Sequence, residues 1–158
     1  MRWPTHQVAA LGCGLLFHLP FPALVASLVG AVFPDVLDQR IAGLALGKRG
    51  KQRLFNRIHR GTTHWFGLWL ALLFFALARP VDLPFQLLAG VSLGALSHVA
   101  LDMLTPQGVP VLPFSRRGRL AVPVCRTGGI GEYAFLALCV GLCVYLLRAD
   151  IAGLLSKA

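Results

Sequence analysis

Every long apolar stretch of this chain carries a carboxylate or a histidine at one end. Asp35 and Asp38 close the first, in Val-Phe-Pro-Asp-Val-Leu-Asp; His59 and His64 open the second, in His-Arg-Gly-Thr-Thr-His. His98 and Asp102 close the third, in Ser-His-Val-Ala-Leu-Asp, and Glu132 starts the last. An ionised side chain in hydrocarbon costs several kcal/mol unless it is paired, bound to metal or placed beside water. A chain that repeats this expense at each apolar segment is building one polar site, and His, Asp and Glu are the ligands of hard or borderline metal ions.

Composition decides the solvent. Of 158 residues, 56% are hydrophobic and only 13% charged, against about 25% charged in ordinary soluble domains. With a mean hydropathy of +0.70, a soluble core would lack a polar shell. The chain reads as a single integral membrane domain over residues 1–158. Met1-Arg2-Trp3 is a thin basic start, and no small-residue cleavage site follows, so a cleavable signal peptide is not expected.

The net charge of +9 invites a nucleic-acid reading, which the positions of the charges disfavour. Arg40, Lys48, Arg49, Lys51, Arg53, Arg57 and Arg60 share one connection; Arg116, Arg117, Arg119 and Arg126 share another. This is the pattern that the positive-inside rule expects of cytoplasmic loops, with attraction to anionic lipids as a second use. No nucleic-acid motif accompanies it. Cys13, Cys125, Cys139 and Cys143 form no Cys-x-x-Cys pair and read as small buried apolar residues.

The periodicity predicts an all-α polytopic bundle of four long apolar segments. Residues 7–33 exceed one span of about 20 residues and are broken at Leu19-Pro20-Phe21-Pro22. They are read as a hairpin, 7–18 and 22–33, giving five helices; a single kinked span is the alternative. The hairpin would return Asp35 to the side holding His6. Residues 39–60 read as a basic connection with a short interfacial piece at 41–46. Helices follow over 62–78, capped by Thr62 or Thr63, over 85–104, and over 130–148. Gly90 and Gly94 lie one turn apart and permit close helix contact. Residues 105–129 read as a structured loop. With both basic loops cytoplasmic, all the unusual polar residues fall at one depth.

His98 and Asp102 are four apart and share a helix face, a spacing that can grip one ion or make a local hydrogen bond. His59 and His64 flank a bend and could face one cavity. Asp35 and Asp38 are placed at a helix C-terminus, where the macrodipole opposes them unless something positive is near. Arg60 is topological charge or a phosphate fork. Glu132 is a helix cap or a ligand, and His6 is the weakest candidate. His18, beside the proline turn, is excluded.

Pro34-Asp35-x-x-Asp38, His59-Arg60-Gly61-x-Thr63-His64 and Gly94-x-x-x-His98-x-x-x-Asp102-x-x-Thr105-x-x-Gly108 resemble the YdjM-like family of bacterial inner-membrane proteins. The likeness runs from His6 through Arg126-Thr127-Gly128 and Glu132, with Trp65 standing where Ser is expected. It implies a membrane-bound metal-dependent hydrolase, a label sometimes joined to a LexA-related one.

The expectation is therefore hydrolysis at the cytoplasmic membrane surface with a divalent ion, Zn or Mn in preference to Ca or Mg. Metal ligands would be Asp35, His59, His64, His98, Asp102 and His6, with Asp38, Glu132 and Arg60 as catalytic or orienting groups and room for two ions. Arginines around a site at headgroup depth favour an anionic, lipid-borne phosphoester. The rival is a non-catalytic membrane protein, either a scaffold or regulatory partner or a transporter of metal or protons. Nothing in the chain specifies an oligomeric state.

Overall fold

The computed structural model describes residues 1–113 and 118–155, so Arg116 and Arg117 lie outside the described residues. Seven α-helices are found among them: α1 (Trp3–Leu16), α2 (Phe21–Gly30), α3 (Phe33–Gly43), α4 (Gly47–Ile58), α5 (Phe66–Ala76), α6 (Leu83–Met103) and α7 (Ile130–Leu155). A 3-10 turn, Thr62–His64, precedes α5, and a two-stranded antiparallel ribbon pairs β1 (Val109–Pro110) with β2 (Arg119–Leu120). The chain is thus the expected all-α membrane bundle, more finely divided than five helices.

Proline sets many of the divisions. Helices α1, α2, α3 and α6 each carry a proline at their first or second position, where the missing amide hydrogen would have had no partner. The residues that break the apolar runs are therefore the residues that restart them. His18 turns the corner between α1 and α2 with φ of 50°, and the two helices pack side by side. This is the expected hairpin, and it brings His6 and Asp35 to one end.

Among the described residues, two helices are long and apolar enough to cross a bilayer alone: α6, with 21 residues, and α7 over Ile130–Ala149. At 1.5 Å per residue α6 is about 32 Å long, enough for a hydrocarbon core of about 30 Å. Helices α2 and α3 make a third crossing if taken as one span bent by 47°. The 11 residues of α5 reach only about 16 Å.

Helix α6 is the axis of the fold, packing most extensively on α2 and then on α5 and α1. Glycine permits it. A Cβ at Gly90 or Gly94 would run into the backbone of Ala23 or Ser27, and one at Gly30 into that of Val91. Close approach of this kind supplies van der Waals contact where no hydrophobic effect separates helix from lipid. Trp69, Ala95, Leu96, Val99 and Val109 form a core between α5, α6 and β1.

Two sequence expectations are corrected. Residues 39–60 are helical for most of their length: α3 runs on to Gly43, and α4 is a basic amphipathic helix packed on it. Neither Thr62 nor Thr63 caps α5, which starts at Phe66 with no side-chain cap; the Thr63 hydroxyl is used elsewhere. The two basic connections do meet at one end of the bundle, where Arg60 Nη1 donates to Thr105 Oγ1 and, beside them, Trp65 Nε1 donates to Val111 O at 3.1 Å.

Candidate metal centre

Because α3 starts afresh at Phe33, Asp35 lies in the first turn of a helix rather than at the last turn of one. The macrodipole there favours a carboxylate, which reverses the expectation for Asp35. Asp35 and Asp38, three apart, share the face of α3 that looks toward α6 and the 3-10 turn. Asp35 Oδ2 accepts from Trp3 Nε1 at 3.1 Å, while its buried Oδ1 has no hydrogen-bond partner.

Asp38 is almost wholly enclosed and organises the bend between α4 and α5. Its Oδ1 accepts the Thr63 hydroxyl at 2.7 Å. Its Oδ2 accepts the Arg60 amide at 3.2 Å and lies 3.3 Å from His59 Nδ1. A carboxylate so occupied is an orienting group rather than a general base. Arg60 holds φ of 55°, a left-handed conformation that costs a non-glycine residue about 1–2 kcal/mol. The turn carries its guanidinium to the end of α6, where Nη2 reaches Asp102 Oδ2 at 3.0 Å and Nη1 donates to Thr105 Oγ1 at 2.9 Å. The fork expected to meet phosphate is spent on an aspartate and a threonine of the chain itself.

The hydrogen bonds around two histidines fix their tautomers. A carbonyl only accepts, so His98 Nδ1, 2.7 Å from Ala31 O, must carry the proton. The Thr63 hydroxyl has one hydrogen and gives it to Asp38, so His64 Nδ1, 3.0 Å away, must be the donor of that pair. As neutral imidazoles, both rings are left with a bare Nε2. The two Nε2 atoms face each other at 3.2 Å. Asp35 Oδ1 lies 3.4 Å from His64 Nε2 and 3.7 Å from His98 Nε2; Asp102 Oδ2 lies 3.8 and 3.7 Å from the same atoms.

Four lone pairs therefore converge on one buried space; Arg60 Nη2 meets one of them, on Asp102 Oδ2, and the other three repel unless a positive charge stands between them. Ligand distances of about 2.0–2.1 Å put the edges of a tetrahedral zinc site at about 3.3–3.4 Å, close to these separations. The outer partners, a backbone carbonyl for His98 and a threonine–aspartate pair for His64, are those that orient ligating histidines in metalloproteins. The residues fit a divalent cation.

His6 joins the cluster as well. Its ring stacks on that of His98 with centroids 3.9 Å apart, and its Nε2 is 3.6 Å from Asp102 Oδ1. His59, at 27% side-chain exposure the wettest member, stacks on Phe55 and lines a polar cavity of about 360 Å³ with Asn56, Arg60, Gln107 and Arg119. His18 is exposed at the far turn, as expected. Glu132 does not join. It accepts from the Arg2 amide at 2.5 Å, Thr5 Oγ1 at 2.9 Å and the Gly128 amide at 2.6 Å, tying α1 to the start of α7. Its part is the cap.

Sequence reasoning gave Thr63 only a capping role, and none to Trp3 or to Trp69, whose indole donates to Thr63 O at 2.7 Å. For Thr63 the signal was present, a hydroxyl beside a candidate ligand. For the tryptophans there was none.

A profile described as YdjM inner membrane protein matches residues 1–154. Two curated relatives, each named inner membrane protein YdjM, come from Escherichia coli (strain K12) and Shigella flexneri. Each is 46% identical over a 74-residue alignment, and the match covers 44% of this chain. The match spans only 38% of the length of either relative. No solved structure matches the chain significantly.

Proposed function

The chain belongs to the YdjM family of inner membrane proteins, and from that premise we propose that it is a metal-dependent hydrolase. It would act at the cytoplasmic face of the membrane on a phosphoester carried by a lipid. The observation that supports this most is the pair of bare imidazole nitrogens 3.2 Å apart, with two carboxylates aimed at the same space.

His64, His98, Asp35 and Asp102 would hold the ion, and a mixed imidazole and carboxylate set suits Zn or Mn. Bound there, a divalent cation supplies Lewis acidity, lowering the pKa of water and polarising a phosphoryl oxygen. The chain's own groups do the rest. Asp38 keeps His64 in the tautomer that points Nε2 inward, and Arg60 offsets the charge of Asp102. The cavity beside His59 admits water and an anionic headgroup, with Gln107 and Arg119 on its wall. The core of Trp69, Leu96 and Val99 closes another side against water, which strengthens electrostatics within the site.

The test is lipid hydrolysis by detergent-purified protein, with Zn or Mn, on matched phosphorylated and neutral lipids. Turnover of phosphoesters that chelator and His98→Ala both abolish is the expected result. Metal bound in stoichiometric amount with no turnover of any lipid would move the assignment to a non-catalytic metal-binding membrane protein.

A further inference from the structure

One cation on His64, His98, Asp35 and Asp102 leaves two histidines without a task, and one of them is anomalous. His6 is fully buried, and neither of its ring nitrogens has a hydrogen-bond partner. A buried polar group left unsatisfied is destabilising, and here two atoms of one ring are left so, beside Asp102. His59 stands on the opposite flank, its Nδ1 3.8 Å from Asp35 Oδ1.

Six donors divide into two sets of one carboxylate and two histidines. His6, His98 and Asp102 form one; Asp35, His59 and His64 form the other, and within each the ligand atoms lie within 4.8 Å of one another. The sets face each other: His64 Nε2 and His98 Nε2, one from each, are the pair at 3.2 Å. Each carboxylate also reaches a histidine of the other set, Asp35 to His98 at 3.7 Å and Asp102 to His64 at 3.8 Å. Asp102 presents its two oxygens in two directions, Oδ1 toward His6 and Oδ2 toward His64 and His98.

We infer that the cluster is a two-cation centre, each divalent ion resting on one His2Asp set and the two carboxylates forming the wall between them. The inference rests on the metal reading above and deepens it. Adjacent cations stabilise both the attacking and the leaving oxygen of a phosphoester, so the arrangement points to in-line phosphoester hydrolysis. The set containing His59 borders the polar cavity and is the one a substrate oxygen meets first; the set containing His6 is sealed beneath α1.

The experiment is metal stoichiometry of the detergent-purified full chain after reconstitution with Zn, together with electron paramagnetic resonance of the Mn-loaded form. Two equivalents per chain are expected, with a spin-coupled Mn signal. His6→Ala and His59→Ala should each keep about one equivalent and show isolated Mn, while His18→Ala keeps two. One equivalent in the wild-type chain with an uncoupled signal overturns the pair and leaves the hydrolase proposal standing. Zero equivalents overturns both. If His6→Ala fails to fold, the wild-type stoichiometry and coupling still decide.

Discussion

Helices α6 and α7 are the two long spans, and they solve the same problem in opposite ways. In its most apolar window α6 is 44% buried within the protein, α7 only 11%. Helix α7 shows Leu138, Val140, Leu142, Val144, Tyr145 and Leu147 to its surroundings, as a lipid-facing helix can. Helix α6 hides Gly90, Ser92, Gly94, His98 and Asp102. Its mean hydropathy is the lower of the two, 1.4 against 2.0. In a bilayer, then, the less apolar helix is the interior one. Lipid is as good a solvent for leucine as any core, so small and polar side chains mark the inside.

The sharpest way to break this comparison is to exchange glycine for leucine in each helix. Gly94→Leu drives a side chain into the Ser27 backbone and should abolish the folded species on size exclusion in detergent. A Cβ at Gly141 meets nothing within 4 Å, and Gly141→Leu should elute and melt as wild type. If the two behave alike, α6 is not the axis.

A smaller, cleaner effect should separate the polar networks of the two helices. Thr63→Val removes the hydroxyl that fixes His64 and should weaken metal affinity about 10–100-fold, the usual effect of losing an outer partner of a ligand. Thr5→Val removes a hydrogen bond to Glu132 on α7 and should cost about 1 kcal/mol of stability with metal affinity unchanged. Competition with a chromophoric chelator, beside a thermal melt, reads both.

The smallest effect belongs to the lipid face. Leu138→Ala, on a residue 73% exposed, should move stability by no more than about 0.5 kcal/mol. A large loss would mean that α7 is covered by protein.

The legible and illegible parts of the sequence divide along physical lines. His98 and Asp102 could be read as a pair because helix periodicity alone puts residues four apart on one face. The hairpin could be read because two prolines interrupt an apolar run too long for one crossing. Asp35 was assigned to the wrong end of a helix because Phe33-Pro34 looks like a stop and is also a start. Helix α4 was hidden because lysine and arginine are explained by topology whether or not they are helical. The bond of Arg60 to Asp102 joins residues 42 apart through a left-handed turn, and no local pattern announces it. Nor could the unpartnered nitrogens of His6 have been foreseen, since satisfaction is a property of neighbours.

The donors of the cluster come from α1, α3, the bend that runs from His59 through the 3-10 turn, and α6, so the set stays incomplete until the chain has been made at least to Asp102. A nascent protein inserted helix by helix carries His6 and Asp35 through biogenesis as orphans. Closing the loop from His6 to Asp102 costs entropy that grows only slowly with its length. A ligand bound across all four elements adds its binding free energy to that of folding. Were a cation held there as proposed, its loading would be a late event in the life of the molecule, after insertion of α6. A cell short of the ion would be expected to accumulate an inserted but loosely closed bundle, with α1 the first element a membrane protease could draw away.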